Sequence, residues 1–478
     1  MNTEADEPPR VVDSPRQRLL YLVAAIAQGA SSVLVQPFAI RILDPEQWGQ
    51  VSLMLSLIAV SLVAITAGFP TTLGAFYFDA EDGKSKARSL NGFGSLLSLL
   101  LAGAAMIVYS VIAAANGWTD LAPLILVSIA IVGMHGICQN AVAYLRSDQR
   151  PGAYVLVIVL ATSLGHGAGL LAILVVAPTA IAYLTAFAGC VLAAAVLSML
   201  LSRPTAPFRF PSTLRSAVAI ALPVLPHSVA FIALQQGEAL LINAFQGPVL
   251  VGRYNAVMPF ALGAIAIALA LSNVWQTVLL SLRGDDPDGQ GRRIQNEAFL
   301  VGFLLATAGS GVATLATYVL VDRPDAELFA LAHLLPIVGY GFVVFIIAST
   351  QLFAVRRTRI MSVITPVVAV LAIIVASIPA STGNLLLVGV VKIVSFLLLG
   401  LWYTWAANRV RPRMVAVRPM LLWMAAAVTV PTALSLFPTT PGYGVLTAAI
   451  AFVIVGATAF WYLRRQRRSH APSGSADL

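Results

Sequence analysis

The stretch Arg41-Ile-Leu-Asp-Pro-Glu-Gln-Trp48-Gly49-Gln-Val-Ser-Leu53 joins two long apolar runs through a turn too short to leave a membrane's surface. A second stretch has the same design. Ala244-Phe-Gln-Gly-Pro-Val-Leu-Val251-Gly252-Arg253-Tyr254-Asn-Ala256 also ends one long run, turns at a proline and opens the next run with a glycine. Aligning Gly49 with Gly252 makes the chain an internal repeat, and weakly related halves are a common build for transporters. The composition around these turns names the solvent. Of 478 residues, 59% are hydrophobic and 10% charged, and the mean hydropathy is +0.88. Soluble chains carry about 25% charged residues. So much apolar side chain needs lipid around it.

A bilayer core of about 30 Å takes roughly 20 apolar residues per helix. Apolar runs between charged or Pro/Gly-rich breaks predict fourteen spans, at 19–43, 49–78, 90–114, 121–145, 152–176, 179–201, 216–245, 249–281, 297–320, 328–354, 360–380, 385–407, 419–436 and 443–463. The expected fold is therefore an all-α polytopic membrane protein. Its parts are an N-terminal tail (1–18), a six-helix lobe (19–205), a second six-helix lobe (206–408), two appended helices (409–463) and a C-terminal tail (464–478). The first run is too long for a cleavable signal, and acids precede its basic flank.

Arginine and lysine in short loops set orientation. With both termini on the cytoplasmic side, 25 of the 29 basic residues fall in inner segments, and only Arg41, Arg253, Arg323 and Lys392 fall elsewhere. The net charge of +9 and pI near 9.8 then report topology, and no nucleic-acid partner is expected. Cys138 and Cys190 sit in apolar runs, so neither a disulfide framework nor a metal site is expected. The outer loops are too short to wall an active site, and no catalytic motif or cofactor-binding loop is present. Gly165-His166-Gly167 reads as close helix packing.

The turn Leu43-Asp-Pro-Glu-Gln-Trp-Gly-Gln-Val-Ser-Leu53 resembles the first-loop pattern of polysaccharide flippases, Leu-Gly-Pro-Glu-x-aromatic-Gly. Val251-Gly-Arg-Tyr-Asn-Ala256 resembles the matching Gly-x-Tyr-x-x-Ala of the second repeat. The whole chain resembles Wzx-type members of the multidrug/oligosaccharidyl-lipid/polysaccharide exporter superfamily, with Asp44 and Trp48 as departures. The resemblance implies two lobes in a V, with helices 1, 2, 7 and 8 around a cavity open alternately to each side. It also implies undecaprenyl-pyrophosphate-linked oligosaccharide as cargo, flipped across the cytoplasmic membrane for surface polysaccharide. Membrane lipids, a polysaccharide polymerase and other assembly proteins would be the partners.

Charges inside spans cost several kcal/mol unless paired or hydrated. Glu238 is the sole acid well inside a span. Arg41, Arg253 and Lys392 share its outer half, leaving a cationic surplus suited to a pyrophosphate. Arg41 and Arg253 could instead snorkel, and Glu238 with Arg253 could be a fixed ion pair. His227, after Pro223 and Pro226, is a proton carrier or a packing histidine. Gln28, Gln235, Asn243 and Asn273 belong to an amide cluster (with Gln36, Gln236 and Gln276) on spans 1, 7 and 8, apt for sugars or for interhelical bonding. His135, His166 and His333 read as packing residues. Rival readings are a cation-coupled drug antiporter, a lipid II flippase, a membrane polysaccharide polymerase or ligase, and a scaffold. The antiporter reading needs a buried carboxylate in the N-terminal lobe, and span 1 of this chain contains none.

Overall fold

The structure is a computed structural model that describes residues 15–79, 81–118, 122–281, 289–355 and 357–469. Among these it is all-helical, and helices stand at all fourteen expected positions. They are α1 (Pro15–Ile42), α2 (Pro45–Thr66) with α3 (Phe69–Tyr77), α4 (Gly83–Asn116), α5 (Ala122–Ser147), α6 (Pro151–Ala161) with α7 (Ser163–Val175), and α8 (Ala180–Ser202). Then come α9 (Pro211–Gln246), α10 (Pro248–Val257) with α11 (Pro259–Ser281), α12 (Gln290–Leu320), and α13 (Ala326–Leu334) with α14 (Ile337–Ala354). The last are α15 (Met361–Ser381), α16 (Leu385–Val410), α17 (Val417–Leu434) and α18 (Pro441–Ser469). Twelve described helices are long and apolar enough to cross a bilayer, and α10–α11 makes a thirteenth, bent by 46°. The chain is a multi-pass membrane protein.

Four expected spans are broken, and each break has a local cause. Span 2 ends its first helix at Ala67 (φ 48°) and Gly68 (φ 75°), both left-handed, and Pro70 opens α3. Span 5 breaks at Thr162, whose hydroxyl bonds back to the Ile158 carbonyl at 2.7 Å. Spans 8 and 10 break where Pro259 and Pro336 deny the helix an N–H.

The chain packs as two compact units. One holds the described residues up to Ala256 together with 358–384, and the other holds 257–357 and 385 onward. This differs from division by chain order, because α9, α10 and α15 pack with the first-half helices. α9 lies against both α2 and α15. In the first unit, α3, α4, α5, α6 and α8 enclose a core of Leu73, Tyr77, Ile137, Tyr144, Leu145 and Val157. In the second, α14 is the central helix, with every residue from Ile337 to Leu352 buried. A helix apolar on all faces belongs inside a bundle.

The outward faces invert the soluble pattern. Ile107 on α4, Ile378 on α15 and Phe452 on α18 are among many large apolar side chains left exposed, as lipid contact requires. Basic residues of the first unit tie its loops. Arg150 donates to the Leu201 carbonyl (2.7 Å) and Arg88 to that of Arg203 (2.6 Å), satisfying carbonyls at the end of α8. Lys84 pairs with Asp148 at 2.9 Å and Lys86 with Asp79 at 3.2 Å.

Candidate functional site

The two turn motifs quoted above touch each other inside the first unit. Asp44 starts α2 by accepting the Gln47 N–H at 2.8 Å, with Pro45 in the first turn. An Asp cap in place of glycine keeps the turn tight and satisfies an orphan donor. The turn then places Trp48 and Gly49 against α10. Trp48 Nε1 donates to the Gly252 carbonyl at 3.2 Å. A Cβ on Gly252 would lie 2.9 Å from Trp48 Cδ1 and 3.0 Å from the Gly49 Cα, and one on Gly49 would lie 1.9 Å from the Pro248 carbonyl oxygen. Only glycine at both positions allows this approach.

Side-chain amides complete the contact. Asn255 Nδ2 donates to the Ser52 carbonyl (3.3 Å) and to Ser56 Oγ (3.2 Å). Gln36 of α1 donates to the Ala256 carbonyl at 2.7 Å. That carbonyl precedes the break at Met258, and the amide supplies it with a donor. Gln36 belonged to the expected amide cluster. Asn255 did not, and its only signal was its place between Tyr254 and Ala256 of the second turn motif.

The expected charged residues divide between the units. Arg41 lies exposed at the end of α1, and its guanidinium donates to the Pro37 carbonyl. Arg253 is half-buried on α10. Glu238 is 9% exposed on α9, eight residues from its end, or roughly 12 Å deep at about 1.5 Å per residue. Its carboxylate acts electrostatically on Tyr254 of α10, whose buried hydroxyl has no hydrogen-bond partner among the described residues. Lys392 belongs to the second unit and is 1% exposed. It stands on the face of α16 where Gly389, one turn before, meets Leu331 of α13, and Phe396, one turn after, meets Gly341 of α14.

His227 is half-buried, with Nδ1 at 2.9 Å from Thr365 Oγ1 of α15 and its ring stacked on Phe231. Gln235 and Asn243 are half-buried on α9, and the Asn243 carbonyl accepts the Gly247 N–H. The side chains of Gln28 and Asn273 lie outside the described residues. His166 and His333 take the packing role, bonded to Tyr183 and to Ser310 and Thr314 respectively. His135 is buried. Gly165 packs on the Phe187 ring. Both cysteines are free.

Comparison with known proteins places this geometry. The lipid II flippase MurJ in an inward closed conformation superposes with a TM-score of 0.68, covering 95% of this chain and 100% of that one at 11% identity. An inward-facing multidrug resistance MATE-family transporter of the MOP superfamily gives 0.61, covering 85% and 98% at 14% identity. A MOP-superfamily transporter from Pyrococcus furiosus gives 0.59, covering 83% and 96% at 13% identity. No curated protein sequence matches the chain. At these identities the likeness is one of fold, that of MOP-superfamily transporters. The sequence model of one family, described as polysaccharide biosynthesis protein, matches residues 39–321 and takes in both turn motifs. With more than half its length matched, the chain belongs to the polysaccharide biosynthesis protein family.

Proposed function

We propose that this protein flips undecaprenyl-pyrophosphate-linked oligosaccharide units across the cytoplasmic membrane by alternating access, supplying cell-surface polysaccharide assembly without chemistry of its own. The observation that carries the reading is the burial of Glu238 and Lys392 at bilayer depth in an otherwise apolar fold. Ionisable groups there are retained for function far more often than for stability. Family membership supplies the polysaccharide context, and the fold is shared with a protein named as a lipid II flippase.

In this reading Arg41 and Arg253 draw in the pyrophosphate, which carries about two negative charges, with Glu238 balancing them when cargo is absent, and Lys392 of the other unit is a further cation for it. Gln28, Gln235, Asn243 and Asn273 contact sugars, and His227 lies on the same path. Both termini face the cytoplasm, the lipid tail stays in the bilayer, and a polymerase takes the cargo on the far side.

Deleting the gene and assaying lipid-linked oligosaccharide by leaflet tests this. Complete units accumulating on the inner leaflet are expected. Units that reach the outer leaflet but stay unpolymerised would overturn the flippase reading in favour of an enzyme, and build-up of lipid II would change the cargo. A second arm is Lys392→Met. Removing one member of a buried charged interaction costs stability, so transport is compared at equal amounts of folded protein, where it is expected to be lost. Wild-type transport in that variant removes Lys392 from the site.

A further inference from the structure

Within the second unit, the start of α12, the end of α16 and the start of α17 surround a cavity of about 440 Å³. Arg292, Arg413 and Arg418 line it with Asn296 and Asn408, and no carboxylate is among the described lining residues. The loop that carries Arg413 is held by two side-chain amides. Gln295, 3% exposed, donates to the Met414 carbonyl at 2.8 Å and accepts the Ala416 N–H at 2.9 Å. Asn408 donates to the Val415 carbonyl at 3.2 Å and accepts the Val415 N–H at 3.0 Å.

These four bonds hold three successive residues, and Arg413 ahead of them is kept at φ 66°, a left-handed conformation that a bulky side chain adopts only under constraint. The backbone that carries Arg413 is thus held beside the hollow, and the exposed side chains of Arg292, Arg413 and Arg418 line it. Asn296 adds a second requirement. It lines the same hollow, and its buried Oδ1 has no hydrogen-bond partner among the described residues. A ligand that satisfies the cavity brings an anion for the guanidinium groups and a donor for Asn296.

We infer that this cavity binds the phosphodiester headgroup of an anionic phospholipid that also carries a hydroxyl, such as a glycerol headgroup. Arginine pairs with phosphate in bidentate fashion, and basic pockets between spans at a membrane boundary bind acidic headgroups. The level is that of a boundary. Trp405, one turn before Asn408 on α16, is exposed and carries the Arg409 guanidinium over its ring at 5.4 Å, as aromatic residues do at headgroup depth. This site is independent of the transport path proposed above.

The full-length protein, purified in detergent and delipidated, is incubated with phosphatidylglycerol, phosphatidic acid or phosphatidylcholine, and bound lipid is counted by native mass spectrometry. Phosphatidylglycerol is expected to be retained over phosphatidylcholine. Arg413→Gln and Arg418→Gln should each weaken its retention about fivefold. Asn296→Leu should erase the preference for phosphatidylglycerol over phosphatidic acid while leaving acidic lipid bound. Equal retention of phosphatidylcholine, or undiminished phosphatidylglycerol in both arginine variants, overturns the proposal. Inorganic phosphate that raises the unfolding temperature as much as the lipid does would assign the cavity to a soluble phosphate. The single variants keep the four loop bonds, and their unfolding temperatures verify the fold.

Discussion

Gly49 and Gly252 sit where backbone meets backbone, so the same small substitution should act oppositely there and elsewhere in the fold. At Gly103 of α4 an added Cβ meets nothing within 4 Å. Gly103→Ala should then be neutral or stabilising by roughly 0.5–1 kcal/mol, the helix-propensity difference. At Gly49 the Cβ would stand 1.9 Å from a carbonyl oxygen, which cannot rotate away as a side chain would. Gly49→Ala must push α2 from α10 and break the bond from Trp48 to the Gly252 carbonyl. A loss of roughly 1–3 kcal/mol is expected, together with reaction of a thiol placed by Ser52→Cys, a position that is 3% exposed in the intact contact. Equal unfolding temperatures for the two alanine variants would show that the contact is not close. The glycines were legible in the sequence as a repeated signature. Their mutual contact was not, because alignment of two motifs says that they are alike and says nothing about whether they meet. The partners of Asn255 and Gln36 were hidden for a related reason: they lie about two hundred residues away in the chain.

At the level of elements, apolar run length located all fourteen positions, because the bilayer sets one length for every span. The breaks within spans were not legible. Proline marks both outcomes: Pro223 and Pro226 lie inside the continuous helix α9, whereas Pro259 opens a new helix after a 46° bend. At a break, carbonyls left without a helical donor need tertiary support. At the α10–α11 break that support is Gln36, 6% exposed, on the Ala256 carbonyl. Gln36→Leu strands a buried acceptor and should cost roughly 1–3 kcal/mol of stability. Adding Pro259→Ala should recover part of the loss, since a straighter helix lets the Phe260 N–H reach Ala256. A thermal-unfolding double-mutant cycle reads the coupling. Additive losses would mean that Gln36 does not support the break.

For the molecule as a whole, the charge distribution does three jobs that composition alone could not separate. Some arginines close helix ends, as Arg150 does on Leu201 and Arg88 on Arg203. Arg292, Arg413 and Arg418 instead surround a cavity. Topology uses the same residues in a third way, because the side rich in arginine stays in the cytoplasm during insertion. The connection from α4 to α5 carries no basic residue, while that from α8 to α9 carries Arg203 and Arg209. Asn116, at the end of α4, and Ser212, at the start of α9, are both exposed and should therefore face opposite compartments. In a background with Cys138→Ala and Cys190→Ala, Asn116→Cys should react with a membrane-impermeant maleimide in intact cells. Ser212→Cys should react only after permeabilisation. The reverse pattern would place both termini outside and turn the proposed direction of transport around. Reaction at both positions in intact cells would mean an even number of crossings between α4 and α9, against the three made by α5, α6–α7 and α8.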